Sequence, residues 1–346
     1  MHMRFDMEEK QYKVFIAGGT GFIGYHAAKL FLEKGFSVDT IALPSEINLG
    51  NWYPKEIKLF FGDLFLMSEE AIFQLISKNK YDVFVYALGP DDRVIPKTPA
   101  WNFFYDRLVI QATKVCQAAK RAGIKKCIVL NSYFSYFDKL NRGLLSRNHP
   151  YIKARVEQIK AIKSLSAPNE FETIFLELPF IFGTMPNRKP LWKEHFLDQF
   201  SKMKMVMFPS FGGTAAIDVS GVAEAIVASA LYGKTGEYPI GQINISYKSL
   251  IKLMMKSIGD KRAFLGVPGW ICFIWAKRIS RNLLKKGLES GLRYEKLMTQ
   301  ILNKRFFIDM TSLKKQWNYQ QLGFFGGEDV LQSIQLTIKK CYEDCH

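Results

Sequence analysis

The sequence predicts an α/β protein, a doubly wound parallel sheet with a second, smaller and mainly helical domain. Three observations carry this. Short β-branched and aromatic runs alternate with helix-period stretches from residue 13 to residue 178. A glycine-rich turn, GGTGFIG at residues 18–24, separates the first such run from the first helical stretch. Beyond Phe182-Gly183 the alternation stops and the chain becomes helix-rich, Met-rich and basic. At 346 residues there is enough chain for two domains sharing a core.

The first strand is KVFIA, residues 13–17, which runs straight into the glycine turn. Ile23, Ala27, Leu30 and Phe31 follow at helical spacing, and Gly35 stops that helix. Residues 38–43 form a second strand and residues 57–61 a third, with Gly62-Asp63-Leu64 as its exit turn. Residues 82–87 (DVFVYA) are the fourth strand, 103–122 a helix, 127–130 the fifth strand and 173–178 (TIFLEL) the sixth. Pro186, Pro190, Pro209 and Gly212-Gly213 interrupt residues 184–214, and a helix over 219–232 returns to the sheet. The expected boundaries are 11–185, joined by 215–235, for the sheet domain, and 186–214 with 236–346 for a substrate domain.

Hydrophobic residues at 48% and charged residues at 23% exclude wholesale disorder. A net charge of +16 makes anionic substrates, anionic membranes and nucleic acid plausible partners, and from residue 188 onward 24 Lys and Arg stand against 13 Asp and Glu. Nucleic acid is not expected, because aromatics are not interleaved with the basic residues as a stacking platform requires. Five scattered cysteines without a CxxC pair point to a reducing compartment, hence a cytoplasmic location. Cys341, Cys345 and His346 crowd the C-terminus but are too few for a closed zinc site, so no metal is expected. Residues 1–12 hold no apolar signal-peptide core. The longest apolar stretch, 264–276, falls short of the roughly 20 residues a transmembrane helix needs.

Gly18, Gly21 and Gly24 lie between strand and helix, where side chains would keep a pyrophosphate from the backbone N–H groups. A dinucleotide, NAD or NADP, is the cofactor this implies, in a Rossmann-type domain. The preference between the two stays open. Ala42, followed by Leu43, Pro44 and Ser45, offers neither the acid that would hold a ribose hydroxyl nor the base that would hold a 2′-phosphate. Asp63 is either an adenine partner or a helix N-cap.

Five segments together resemble the extended short-chain dehydrogenase/reductase family, the NAD-dependent epimerase/dehydratase group: GGTGFIG (18–24), GDL (62–64), AAKRAGIKKCIVLNS (118–132), PYIKARVEQ (150–158) and LPFIFGTMP (178–186). The resemblance runs from Lys13 to about Trp270. It implies a catalytic set of Ser132, Tyr151 and Arg155. Ser132 polarises the substrate oxygen, Tyr151 transfers its proton, and Arg155 supports the nicotinamide ribose and lowers the Tyr151 pKa. It implies cofactor contacts from Gly18, Thr20, Gly21, Phe22, Ile23, Gly24, Asp63, Leu64, Ala87, Leu88, Tyr151, Arg155 and Pro179. It also implies a homodimer formed through the helices around the Tyr151 motif.

Two departures stand out. Arg155 occupies a position where the family carries Lys; it keeps the charge on the Tyr151 face but cannot relay a proton. Leu108 stands where the family often has Asn. Tyr133, Phe134, Tyr136 and Phe137 either line a substrate mouth or pack into core. The segments 236–259 and 266–270 resemble the reductase branch, whose substrates are less polar. The expected function is NAD(P)-dependent hydride transfer at a carbonyl or hydroxyl carbon of a small molecule, an apolar one on the reductase resemblance. The alternatives are a nucleotide-sugar epimerase or dehydratase, and a catalytically degenerate NAD(P)-sensing or RNA-binding protein. For residues 264–286 the expectation is a core helix with a solvated basic end; a membrane-leaning segment and a diphosphate grip are the other readings.

Overall fold

Seven strands pair into one parallel sheet in the computed structural model, which describes residues 11–44 and 52–343. The strands are β1 (Lys13–Ala17), β2 (Ser37–Ala42), β3 (Lys58–Phe61), β4 (Val83–Tyr86), β5 (Lys126–Ser132), β6 (Glu172–Leu178), β7 (Phe180–Phe182), β8 (Val206–Pro209), β9 (Gly213–Asp218), β10 (Gly236–Pro239), β11 (Ile243–Ser246), β12 (Phe264–Val267) and β13 (Arg305–Phe306). The large sheet has the order β10-β6-β5-β4-β1-β2-β3. Its order reverses between β1 and β4, and the carboxyl ends of the strands at such a reversal are where open α/β sheets bind their ligands. Both faces are covered, which explains the near-continuous apolar strands. Val14 and Ile16 pack with Ala27, Phe31 and Ile226 on one face, while Phe15 packs with Phe84, Val115 and Ile162 on the other.

A second layer holds β7, β9, β11 and β13 in one small sheet and β8 with β12 in another. It is therefore richer in strand than expected, because its strands are only two to six residues long and leave little alternation to read. The expected boundary at 236 also shifts. Strand β10 joins the edge of the large sheet beside β6, and Met310, Leu313, Trp317 and Leu322 share the core of Ala27 and Phe31. Lys34 Nζ, just past the first helix, donates to Leu322 O at 2.7 Å.

The helix expected over 103–122 is a composite: Ala100–Tyr105, a π-helical turn at Asp106–Ile110, then Gln111–Arg121. Tyr133–Leu140 is a helix whose aromatics pack into core, with Phe137 stacked on Phe306 at 4.1 Å; this settles the open reading of that cluster. Residues 264–286 depart from expectation. The helix Gly269–Lys285 buries only Gly269 and Ala276, so it is not a core helix. Ser45, Cys345 and His346 lie outside the described residues.

Candidate active site

The glycine turn fits a dinucleotide by what it leaves out. Gly18 has φ +94°, and a Cβ there would sit 2.7 Å from the Ala87 carbonyl oxygen. A Cβ on Gly24 would lie 2.1 Å from Gly18 O. The helix Phe22–Glu33 starts at Gly21 with no capping side chain, so its first N–H groups face the turn as a ready anion site. Thr20 is buried in the turn, and Phe22 and Ile23 open the helix. The strand β4 brings Ala87 and Leu88 against the turn, with Leu88 Cδ2 2.9 Å from where a Gly18 Cβ would stand.

At the adenosine end, Ala42 closes β2 beside Phe61 and offers no polar atom beyond its backbone. Asp63 is not a helix N-cap: its Oδ1 accepts from Phe65 N at 2.8 Å within the turn, and Ser68 caps the helix Glu69–Ser77. Leu64 commits its side chain to the core, which leaves only its backbone for a ligand. Pro179 is buried between β6 and β7.

The carboxyl end of β5 and the helix Pro150–Lys163 carry the three expected catalytic side chains. Pro at the first helical position and His149 as N-cap start that helix, and four-residue spacing brings Arg155 to Tyr151. Arg155 Nε donates to Tyr151 Oη at 3.0 Å. Its Nη1 donates to Leu130 O at 3.2 Å and Gln158 Oε1 at 3.0 Å, and Nη2 to Pro90 O at 3.3 Å. One guanidinium thus ties together β5, its own helix and the loop after β4. Four of its five N–H groups are engaged, leaving little for a ribose. Ser132 Oγ accepts from Phe134 N at 3.3 Å as the cap of its helix, and keeps its own proton to donate. Asn131 Oδ1 fixes the turn by accepting from Ser132 N at 2.7 Å and from Ser135 Oγ at 2.9 Å.

The Tyr151 hydroxyl is shifted up, where the sequence leads one to expect it drawn down. Burial is the main cause; the Arg155 cation opposes it, and the Asp92 and Asp91 charges add to it. Tyr151 therefore holds its proton at neutral pH and stands ready as a donor.

Two segments escaped the sequence reading. The loop Gly89–Arg93 puts Asp92 within electrostatic reach of Tyr151, Tyr133 and Arg155. Burial first, and the neighbouring Asp91 second, push its carboxyl up to about 6. Asp91 is held by Arg93, with Nε donating to Oδ2 at 2.8 Å. The signal was present: GPDDR follows closely on the fourth strand, where strand ends meet the crevice. The other segment is 287–293. Gly291 O accepts from Tyr151 N at 3.0 Å, Arg293 N donates to His149 Nδ1 at 3.1 Å, and Gly287 O accepts from Thr98 N at 2.9 Å. Phe104 meets the Tyr151 ring edge-on at 5.4 Å. Leu108, in place of Asn, is buried in the π-helical turn below Gly89.

The seven-stranded sheet and its bare turn define the class, an α/β enzyme built around a dinucleotide. The sequence profile of the NAD dependent epimerase/dehydratase family matches residues 14–241. The chain belongs to that family of NAD-dependent enzymes. It is 24% identical over 213 residues to sterol-4-alpha-carboxylate 3-dehydrogenase, decarboxylating, of Mus musculus, a match spanning 59% of this chain and 54% of that relative. The chain thus spans about half the length of that relative. Among solved structures it is similar to WbmH of Bordetella bronchiseptica in complex with NAD⁺, with a TM-score of 0.66 and 15% identity over 97% of this chain and 100% of that one. It is similar too to UDP-glucose 4-epimerase of Thermotoga maritima with UDP-glucose, with a TM-score of 0.65 and 13% identity over 95% and 98%. Among the described residues no group of His, Cys, Asp and Glu could hold a metal, and no helix is long and apolar enough to cross a membrane.

Proposed function

We propose that the chain is an NAD(P)-dependent oxidoreductase acting at a carbonyl or hydroxyl carbon of a small, apolar substrate. The observation that carries this is the Tyr151–Arg155 pair, locked at 3.0 Å and tied to the carboxyl end of β5 through Leu130 O. Gly18, Thr20, Gly21, Phe22, Ile23 and Gly24 hold the pyrophosphate, and Asp63 with the Leu64 backbone holds the adenine. Ala87, Leu88 and Pro179 line the nicotinamide path. The bound cofactor supplies or accepts the hydride. Ser132 donates its hydroxyl hydrogen to the substrate oxygen, and Tyr151 gives up its proton to that oxygen as negative charge develops there. Arg155 orients Tyr151 and offsets the phenolate that remains. The sterol in the mouse relative's name supports the apolar class.

This reading includes a homodimer through the helices of residues 100–121 and 150–163, and a cytoplasmic location. Calorimetric titration with NAD⁺, NADH, NADP⁺ and NADPH tests the cofactor, and reduced-nucleotide oxidation over a carbonyl panel tests the chemistry. Tyr151→Phe is expected to keep nucleotide binding and lose about a hundredfold or more in turnover. Absence of binding by all four nucleotides, or unchanged turnover in that variant, overturns the assignment.

A further inference from the structure

The helix Gly269–Lys285 turns its most apolar side outward. Trp270 is 67% exposed, Ile274 70% and Trp275 59%, while only Gly269 and Ala276 are buried. At 100° per residue, Trp270, Ile271, Ile274 and Trp275 cover the outer face of the first two turns. Arg278, Arg281 and Lys285 continue the same face over the last two turns. The polarity is thus split along the helix axis: an aromatic end, then a cationic end. No acidic residue occurs between Phe264 and Lys286, against five basic ones. The strand pair leading into the helix extends the apolar end, since Met207 and Leu265, opposite one another in register, are both exposed.

We propose that this face docks the protein on an anionic lipid bilayer, the aromatic end dipping into the interface and the cationic end lying among the headgroups. Trp suits the boundary between headgroup and acyl chain, and Lys and Arg draw the helix to anionic lipid. Charge favours this occupant over a second copy of the chain, because the face carries five basic residues and no acidic one, so a copy of the same face offers it no anion to pair with. The chain leaving the helix passes Gly287, whose carbonyl accepts from Thr98 N, and then Gly291, whose carbonyl accepts from Tyr151 N, so the cationic end of the face is tied to the candidate active site. The proposal is independent of which reaction that site performs.

The test is flotation of the full chain with vesicles of phosphatidylcholine alone and with about one-third phosphatidylserine, at low salt and near 0.1 M. Binding is expected only with the anionic vesicles and to weaken as salt rises. The variant W270S/I274S/W275S is expected to lose roughly tenfold or more in partitioning, and R278E/R281E/K285E to lose its salt-sensitive part. Both variants are expected to keep the parent's melting temperature and nucleotide affinity, which separates failed docking from misfolding. Three results overturn the proposal. These are no recovery with anionic vesicles at low salt, equal recovery of the apolar variant, and a concentration-dependent dimer that the apolar variant abolishes.

Discussion

Arg155→Lys separates the role of a charge from the role of a fork. Arg155 is only 7% exposed and gives hydrogen bonds to Tyr151 Oη, Leu130 O, Gln158 Oε1 and Pro90 O. A lysine ammonium offers three donors from a single nitrogen, so when placed beside Tyr151 Oη it cannot span the distance to both carbonyls. Leu130 O and Pro90 O then lose their partner. At about 1–1.5 kcal/mol for each acceptor left unmade, the buried Leu130 O and the part-buried Pro90 O, R155K is expected to be about 2–3 kcal/mol less stable than the parent. Arg155→Met, which also removes the charge and strands the polar groups around it, is expected to cost about 3–5 kcal/mol. Guanidinium unfolding followed by circular dichroism measures both. With R155K the charge near Tyr151 is kept, so turnover is expected to fall less than stability suggests. An R155K protein within about 0.5 kcal/mol of the parent would refute the clamp, since surface-like tolerance is incompatible with three buried bonds and a part-buried fourth.

Three further outcomes follow from the same geometry. Burial pushes the Asp92 carboxyl up to about 6 within electrostatic reach of Tyr151, so the pH–rate profile is expected to carry an inflection near there that Asp92→Asn removes; an unchanged profile would place Asp92 outside the site. Glu177 is 1% exposed, has no well-formed hydrogen bond on either carboxylate oxygen, and is pushed up to about 8, chiefly by burial and then by the charge of Glu237. Its folded-state pKa lies above the unfolded one, so its stabilising share is full below about pH 4.5 and is lost as pH rises through 8. Glu177→Gln is therefore expected to gain on the order of 2–4 kcal/mol over the parent at pH 8.5 and little at pH 5, as read by urea unfolding at the two pH values. Gly24→Ala drives a Cβ to 2.1 Å from Gly18 O, and is expected to abolish the rise in melting temperature that nucleotide gives the parent.

Local spacing is what the sequence displays, and the parts of the site made by local spacing were legible in it. KVFIA followed by GGTGFIG specified strand, turn and helix within residues 13–33, and the four-residue step from Tyr151 to Arg155 specified their contact. Ser132 was placed by the end of its strand. Long-range pairing was hidden. The Gly291 carbonyl that meets Tyr151 N is 140 residues away in the chain, and no periodicity announces it. The direction of the Tyr151 shift was hidden likewise, because a cation at four residues is visible in sequence whereas the depth of burial and a neighbouring Asp92 are not. In the helix 269–285 the apolar residues were plain, but their pattern does not say which side meets solvent.

The first N–H groups of a helix have no partner inside it, and for Tyr151 that partner comes from the other layer of the molecule, at Gly291. Parting the layers therefore strips the start of the helix that carries Tyr151 of its closing bond. Opening of the crevice and fraying of the Tyr151 turn become one cooperative event with one free energy. In hydrogen–deuterium exchange, the Tyr151 amide should follow that of Arg293, which is bonded to His149, rather than those deeper in its own helix. The backbone at Tyr151 thereby records each time the two layers separate.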